Sequence, residues 1–317
     1  MGDDRIETVN GIIIPSAMAL LLSFLLCPIS ARLSRVIGAI DQPDGIRKIH
    51  TLPVPRLGGI GFFTAFFVSS LSLLEAAEST LFALLAGGSI IVAGGIADDA
   101  YSISPPVKLL IQISAAAVGV SLMGVPSEFS FLGLFTIALP RAISFIVATV
   151  RIVFSINAVN FSDGLDGLAA GISAVALLSV SVFALSYGRG SVFALAIILF
   201  FALLGFFPYN KHPARIYMGD SGSQFLGFSI AMLALGARGD GNFAIETLFF
   251  LSVPIIDTWF SIIRRLLHGK SPFSADKGHL HHVLLKWGLS HSGAVKVLVC
   301  LSGIIASAAL IFIGKVR

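Results

Sequence analysis

Charge is scarce in this 317-residue chain: 12% of its residues are Asp, Glu, Lys or Arg, against 56% hydrophobic. A soluble domain carries about 25% charged residues, so a water-solvated globule is excluded. Cysteine is nearly absent. Cys27 and Cys300 both lie in apolar runs with no CxxC or Cys/His spacing, which excludes a disulfide framework and a cysteine zinc centre. No internal repeat relates the two halves, and repeats with binding breaks at mid-membrane depth are a common basis of transporter folds. Residues 1–10 hold Asp3, Asp4 and Glu7 against a lone Arg5. A cleaved signal peptide needs a positive leader, so the first apolar span is expected to be retained.

Long apolar runs, by contrast, are abundant, and about 20 residues suffice to cross a hydrocarbon core. Ten spans are predicted, at 12–29, 57–74, 81–97, 107–123, 142–159, 168–187, 192–207, 222–235, 244–267 and 294–313. The expected fold is an all-α polytopic membrane protein forming one domain over residues 1–317. Pro254 should kink or break the ninth span, because it lacks a backbone donor. The apolar segment 129–139 is too short to cross and reads as a lid lying in the interface.

The connecting loops sort by charge. Fourteen lysines and arginines fall on one side, and six (Arg5, Arg141, Arg189, Arg238, Lys315 and Arg317) on the other. The positive-inside rule makes the first side cytoplasmic and puts both termini outside. Asp41, Asp44, Asp98, Asp99, Asp163, Asp166, Asp220 and Asp276 share that basic face. Arg151 and Asp257 stand apart inside spans, and a charge at that depth calls for a partner or a role. Acids, bases and histidines gathered at many span ends suit an active site better than a channel.

Four segments carry the chemistry. Asp98-Asp99 ends the third span; adjacent acids repel unless a cation or proton relieves them, though alone the pair reads as a solvated helix end. In Asn157-Ala158-Val159-Asn160-Phe161-Ser162-Asp163-Gly164-Leu165-Asp166-Gly167-Leu168, the residues Asn157, Asn160 and Asp163 recur every third position and would share one side of a helix. Asp166 could also cap the sixth span. Met218-Gly219-Asp220-Ser221-Gly222-Ser223 opens the eighth span, where bared amides suit phosphate and Asp220 offers a hard oxygen to Mg²⁺. The loop from Arg264 to His282 sets His279, His281 and His282 among cations, which fits an anionic ligand better than a metal, or else an interfacial helix on anionic lipid heads.

These four motifs, in this order and at about this spacing, resemble the polyprenyl-phosphate N-acetylhexosamine-1-phosphate transferases, the family of MraY and WecA/TagO. The resemblance covers the whole chain. The loop Asp276-Lys277-Gly278-His279-Leu280-His281-His282 is similar to the WecA/TagO branch, as are Asp41-Gln42-Pro43-Asp44, Arg47-Lys48-Ile49-His50 and Arg56-Leu57-Gly58-Gly59. The MraY branch has three consecutive histidines. One departure is Ser102, where WecA-type chains often carry a third Asp.

The resemblance implies transfer of a sugar 1-phosphate, foremost N-acetylglucosamine 1-phosphate, from a UDP-N-acetylhexosamine to undecaprenyl phosphate with release of UMP. That step would initiate an envelope glycan such as O-antigen or teichoic acid in a bacterial cytoplasmic membrane. Asp98, Asp99, Asp163 and His281 are the expected catalytic residues, and Asp220 with Asn160 the expected ligands of Mg²⁺, with Mn²⁺ as an alternative. Asn157, Gly164, Leu165, Asp166, Tyr217, Arg265, His279 and His282 would hold the donor, and Lys48 and His50 the lipid phosphate. Membrane lipid and a homodimeric copy are the implied partners, and nucleic acid is not one. Another UDP-N-acetyl(deoxy)hexosamine or UDP-MurNAc-pentapeptide is the alternative donor. A nucleotide-sugar or lipid-linked sugar transporter is the alternative of a different class.

Overall fold

The computed structural model describes residues 3–43, 53–74, 78–131, 134–239, 242–269 and 278–316. Helix dominates: α1 (Asp3–Ile37), α2 (Gly58–Ser70), α3 (Glu78–Tyr101), α4 (Pro105–Met123), α5 (Arg141–Phe161), α6 (Leu168–Ser186), α7 (Gly190–Asn210), α8 (Gly219–Gly236), α9 (Ser252–Leu267), α10 (Leu280–Lys286) and α11 (His291–Val316). Among the described residues eight helices are long and apolar enough to cross a membrane. The other two predicted spans fall on α2, which has 13 residues, and on α8, whose first turns are polar.

Local sequence explains several boundaries. Pro105 and Pro106 open α4 after an extended Ser104, where a missing N–H costs nothing. Ser102 ends α3 with φ 53, a left-handed conformation unusual outside glycine, and its N–H closes on the Asp98 carbonyl. The ninth span is broken near Pro254, as expected: residues Ile245–Leu251 form a 3-10 turn, and the α-helix begins only at Ser252.

α8 is the hub. Its residues from Ser221 to Leu235 are all buried, and it contacts α2, α3, α4, α5, α6 and α7. Glycine is what lets its first turn sit so close to its neighbours. A Cβ on Gly59 would strike the Gly222 backbone, and one on Gly95 would strike the Ser221 backbone, so α2 and α3 touch α8 main chain to main chain. Phe62, Phe206 and Phe225 pack beside this junction.

Among the described residues two small sheets supplement the helices. β1 (Ile40–Asp41) pairs antiparallel with β2 (Val54–Pro55). The segment expected as an interfacial lid is a hairpin of β3 (Glu128–Phe131) and β4 (Phe135–Ala138), extended by β5 (Asn242–Ala244) parallel to β3. β4 is exposed throughout, as an interfacial segment would be. Arg151 is held in the interior by Thr247 Oγ1 at 2.8 Å and the Ala231 carbonyl at 3.3 Å.

Candidate active site

The acidic pair at the end of α3 divides. Asp99 turns to the start of α8: one carboxylate oxygen accepts the Asp220 N–H at 2.9 Å, and the other accepts the Ser221 N–H at 3.2 Å and hydroxyl at 3.1 Å. These amides were expected to await a phosphate; the tertiary structure gives them an internal carboxylate instead. Asp98 turns the other way. It accepts the Ile103 N–H at 3.0 Å and pairs with the Lys108 ammonium, which also donates to Asp220 at 2.9 Å. Gly219, at φ 69, lies against Asp99 and the Arg56 carbonyl.

Asn160 completes this cluster. Its amide nitrogen donates to Asp220 at 2.6 Å and to Ser223 at 2.8 Å. One turn back, Asn157 donates to Gln112 at 2.7 Å, and Gln112 donates to Gln224 at 3.0 Å. Asn157 and Asn160 therefore do share a helix side, but α5 ends at Phe161 and Asp163 stands in the following turn. Burial beside Asp220 pushes the Asp163 carboxyl up to about 8, partly offset by Arg56.

Lys108, Gln112 and Gln224 carried no motif. Lys108 had counted only as one basic loop residue; an amide isolated in an apolar run was the available signal for the two glutamines.

The residues expected to hold the donor fall nearby but on separate partners. Leu165 is buried against Leu168, Val253 and Leu298, so only its backbone can face a ligand. Asp166 does not cap α6, whose N-cap is Gly167 with φ 79. Its carboxylate instead meets His212 Nδ1 at 2.7 Å and the Ala214 N–H at 3.1 Å, while its own N–H donates to His291. Tyr217 is half-buried, and desolvation beside Asp166 raises its phenol above its usual range.

The histidine loop closes the site from the side of α9. His279 is the N-cap of α10, and its ring lies parallel to that of His281, centroids 5.7 Å apart. His281 is buried against Gly164 and lowered to about 4, chiefly by desolvation. His282 packs on His281 at 4.3 Å. Arg265 is buried with its guanidinium 5.8 Å from the Phe161 ring. Lys48 and His50 lie outside the described residues.

The carboxylate oxygens of Asp98 and Asp220 are hard donors of the kind Mg²⁺ takes, and Asn160, whose amide nitrogen faces Asp220, would add its oxygen by turning the amide over. Two carboxylates share one ammonium there, so the cluster keeps an excess of negative charge that a divalent cation would neutralise. The residues fit such an ion. A second grouping, Asp166 with His212 and His291, is already closed by its own hydrogen bonds.

Residues 81–238 match the family model described as glycosyl transferase family 4. A Bacillus subtilis protein described as a probable undecaprenyl-phosphate N-acetylglucosaminyl 1-phosphate transferase is 39% identical over 96% of this chain and 86% of its own length. A Mycobacterium tuberculosis decaprenyl-phosphate N-acetylglucosaminephosphotransferase is 35% identical over 91% of this chain and 79% of its own. The Escherichia coli undecaprenyl-phosphate alpha-N-acetylglucosaminyl 1-phosphate transferase is 26% identical over 87% and 77%.

Proposed function

This chain belongs to glycosyl transferase family 4, and from that premise we propose that it moves N-acetylglucosamine 1-phosphate from UDP-N-acetylglucosamine to undecaprenyl phosphate at the cytoplasmic face of a bacterial inner membrane. The observation that carries the reading is the cluster at the start of α8. Asp98, Lys108, Asn160 and Asp220 are drawn from four helices onto one point, with Asp99 fixing the backbone beneath.

The reaction needs that arrangement. A lipid phosphate oxygen attacks the β-phosphorus of the donor, the bond from that phosphorus to the bridging oxygen breaks, and UMP leaves. Nucleophile and donor are both anions, so catalysis rests on positioning and charge neutralisation. Asp98, Asp220 and the Asn160 carbonyl would hold Mg²⁺, which supplies charge neutralisation to the diphosphate when bound. Lys108 places a second positive charge at the same point. Asp99 acts on the scaffold, because its oxygens are taken by the α8 amides. The backbone of Gly164 to Asp166 and the Tyr217 ring offer a surface for the uracil, and Arg265 with the histidine loop faces the diphosphate and sugar. The lipid chain would lie along α5 and α9, which pack against one another beside the site.

The test is an exchange assay in detergent or nanodiscs. Labelled UMP should enter UDP-N-acetylglucosamine only when polyprenyl phosphate or lipid-linked product is present. Exchange in fully delipidated enzyme would overturn direct attack in favour of a covalent enzyme intermediate. Absence of exchange in both conditions would favour the transporter.

A further inference from the structure

Asp257 is a carboxylate buried inside α9, 6% exposed, at a depth where such a charge calls for a purpose. It has two partners. One oxygen accepts the Leu280 N–H at 2.8 Å, capping the first turn of α10; the other meets His279 Nδ1 at 2.9 Å. Ser261 Oγ also lies 3.2 Å from that nitrogen, and Arg264 donates to Ser261 at 3.2 Å. An ionised carboxylate can only accept, so Nδ1 carries the proton. Ser261 shares this nitrogen, so it is not placed as a nucleophile activated by Nε2.

We propose that Asp257 is a positioning residue that holds His279 so that Nε2–H is presented to a phosphate oxygen of the donor diphosphate. The inference rests on the transferase reading and deepens it. The imidazole then carries a proton on each nitrogen, one given to Asp257 and one to the substrate, with its positive charge shared between two anions. The surroundings support this. His279 stacks on His281, which burial keeps neutral, and His281 in turn abuts Gly164 of the donor loop. Phe161 flanks the same ring at 6.0 Å, so the ring's plane is set on several sides. Behind a metal-bound histidine an orienting carboxylate accounts for about 10–100-fold in affinity or activity, and a loss of that order is the expectation for His279.

Asp257→Asn separates positioning from capping. Asparagine keeps an oxygen for the Leu280 N–H but turns an amide N–H₂ toward Nδ1, which must then accept, so the ring keeps its Nε2 proton but loses the proton on Nδ1 and with it the positive charge offered to the diphosphate. In the full-length protein, UDP affinity should weaken about 10-fold in Asp257→Asn and in His279→Gln, and no further in the double variant. kcat/KM with UDP-N-acetylglucosamine should fall about 10–100-fold with the same non-additivity. Additive losses, or a lowered melting temperature with unchanged UDP affinity, would overturn the proposal. UDP affinity is read without turnover, so wild-type protein that binds UDP but transfers no sugar would count against the transferase reading and leave the pairing to be judged on binding.

Discussion

Gly95→Ala tests whether main-chain contact between α3 and α8 builds the site. The new Cβ would stand 2.8 Å from the Asp220 carbonyl carbon and nearer still to the nitrogen and Cα of Ser221. Carbon atoms prefer about 3.5–4.0 Å, so about 0.7 Å must open to clear that carbon and about 1.2 Å to clear the Ser221 Cα. All three atoms are backbone, so no side chain can rotate away. Overpacking of this kind costs about 1–3 kcal/mol. The displaced residues are Asp220 and Ser221, which bind Asp99 and Lys108 at 2.9–3.2 Å. A misplacement of about 1 Å at reacting groups can cost about 100-fold. UMP release by purified enzyme should therefore fall by about that factor, with membrane insertion intact. Gly303→Ala on α11, where a Cβ meets nothing within 4 Å, is the control and should keep full activity. Near-normal turnover and melting temperature in Gly95→Ala would refute the reasoning.

Asp220→Asn should lower turnover about 100-fold or more with Mg²⁺ in excess, and near-normal rates would remove it from the metal shell. Asp98→Asn should abolish activity with little change in melting temperature, whereas Asp99→Ala should lower the melting temperature by uncapping α8, an effect of about 1–2 kcal/mol; the reverse pattern would exchange their roles. His281 titrates near 4 in the folded protein against 6.5 for the free group, so the unfolded chain binds the extra proton. Stability should therefore be lost as pH falls from about 6.5 to 4, by at most about 3 kcal/mol, and His281→Gln should flatten that part of a melting-temperature series. Asp163, raised to about 8, holds its proton in the folded apo protein while the unfolded group ionises near 3.8, so stability without cation should fall as pH rises between those values. Mg²⁺ should then raise the melting temperature more at pH 8 than at pH 6, and equal shifts would separate Asp163 from the cation.

Much of this protein was written along the chain. Apolar runs of membrane length identify the spans, because hydrocarbon leaves helix as the economical way to satisfy every backbone group. Asn157 and Asn160 were legible as a pair, since a three-residue spacing fixes a common helix side whatever surrounds it. The break near Pro254 followed from one missing N–H. Other features depended on which helix came to lie against which. Asp98 and Asp99 are chemically identical neighbours, and only the approach of α8 and α4 gives Asp99 the α8 amides and Asp98 the Lys108 ammonium. The same approach used the α8 amides that the motif alone seemed to leave open. Lys108 is one base among fourteen until α4 carries it between Asp98 and Asp220, the latter 112 residues away along the chain. Asp257 is a misplaced charge in its own span and becomes intelligible only when His279 folds back onto it. Periodicity and backbone chemistry are local and act wherever those residues stand; hydrogen-bond partners drawn from distant helices exist only once the helices pack.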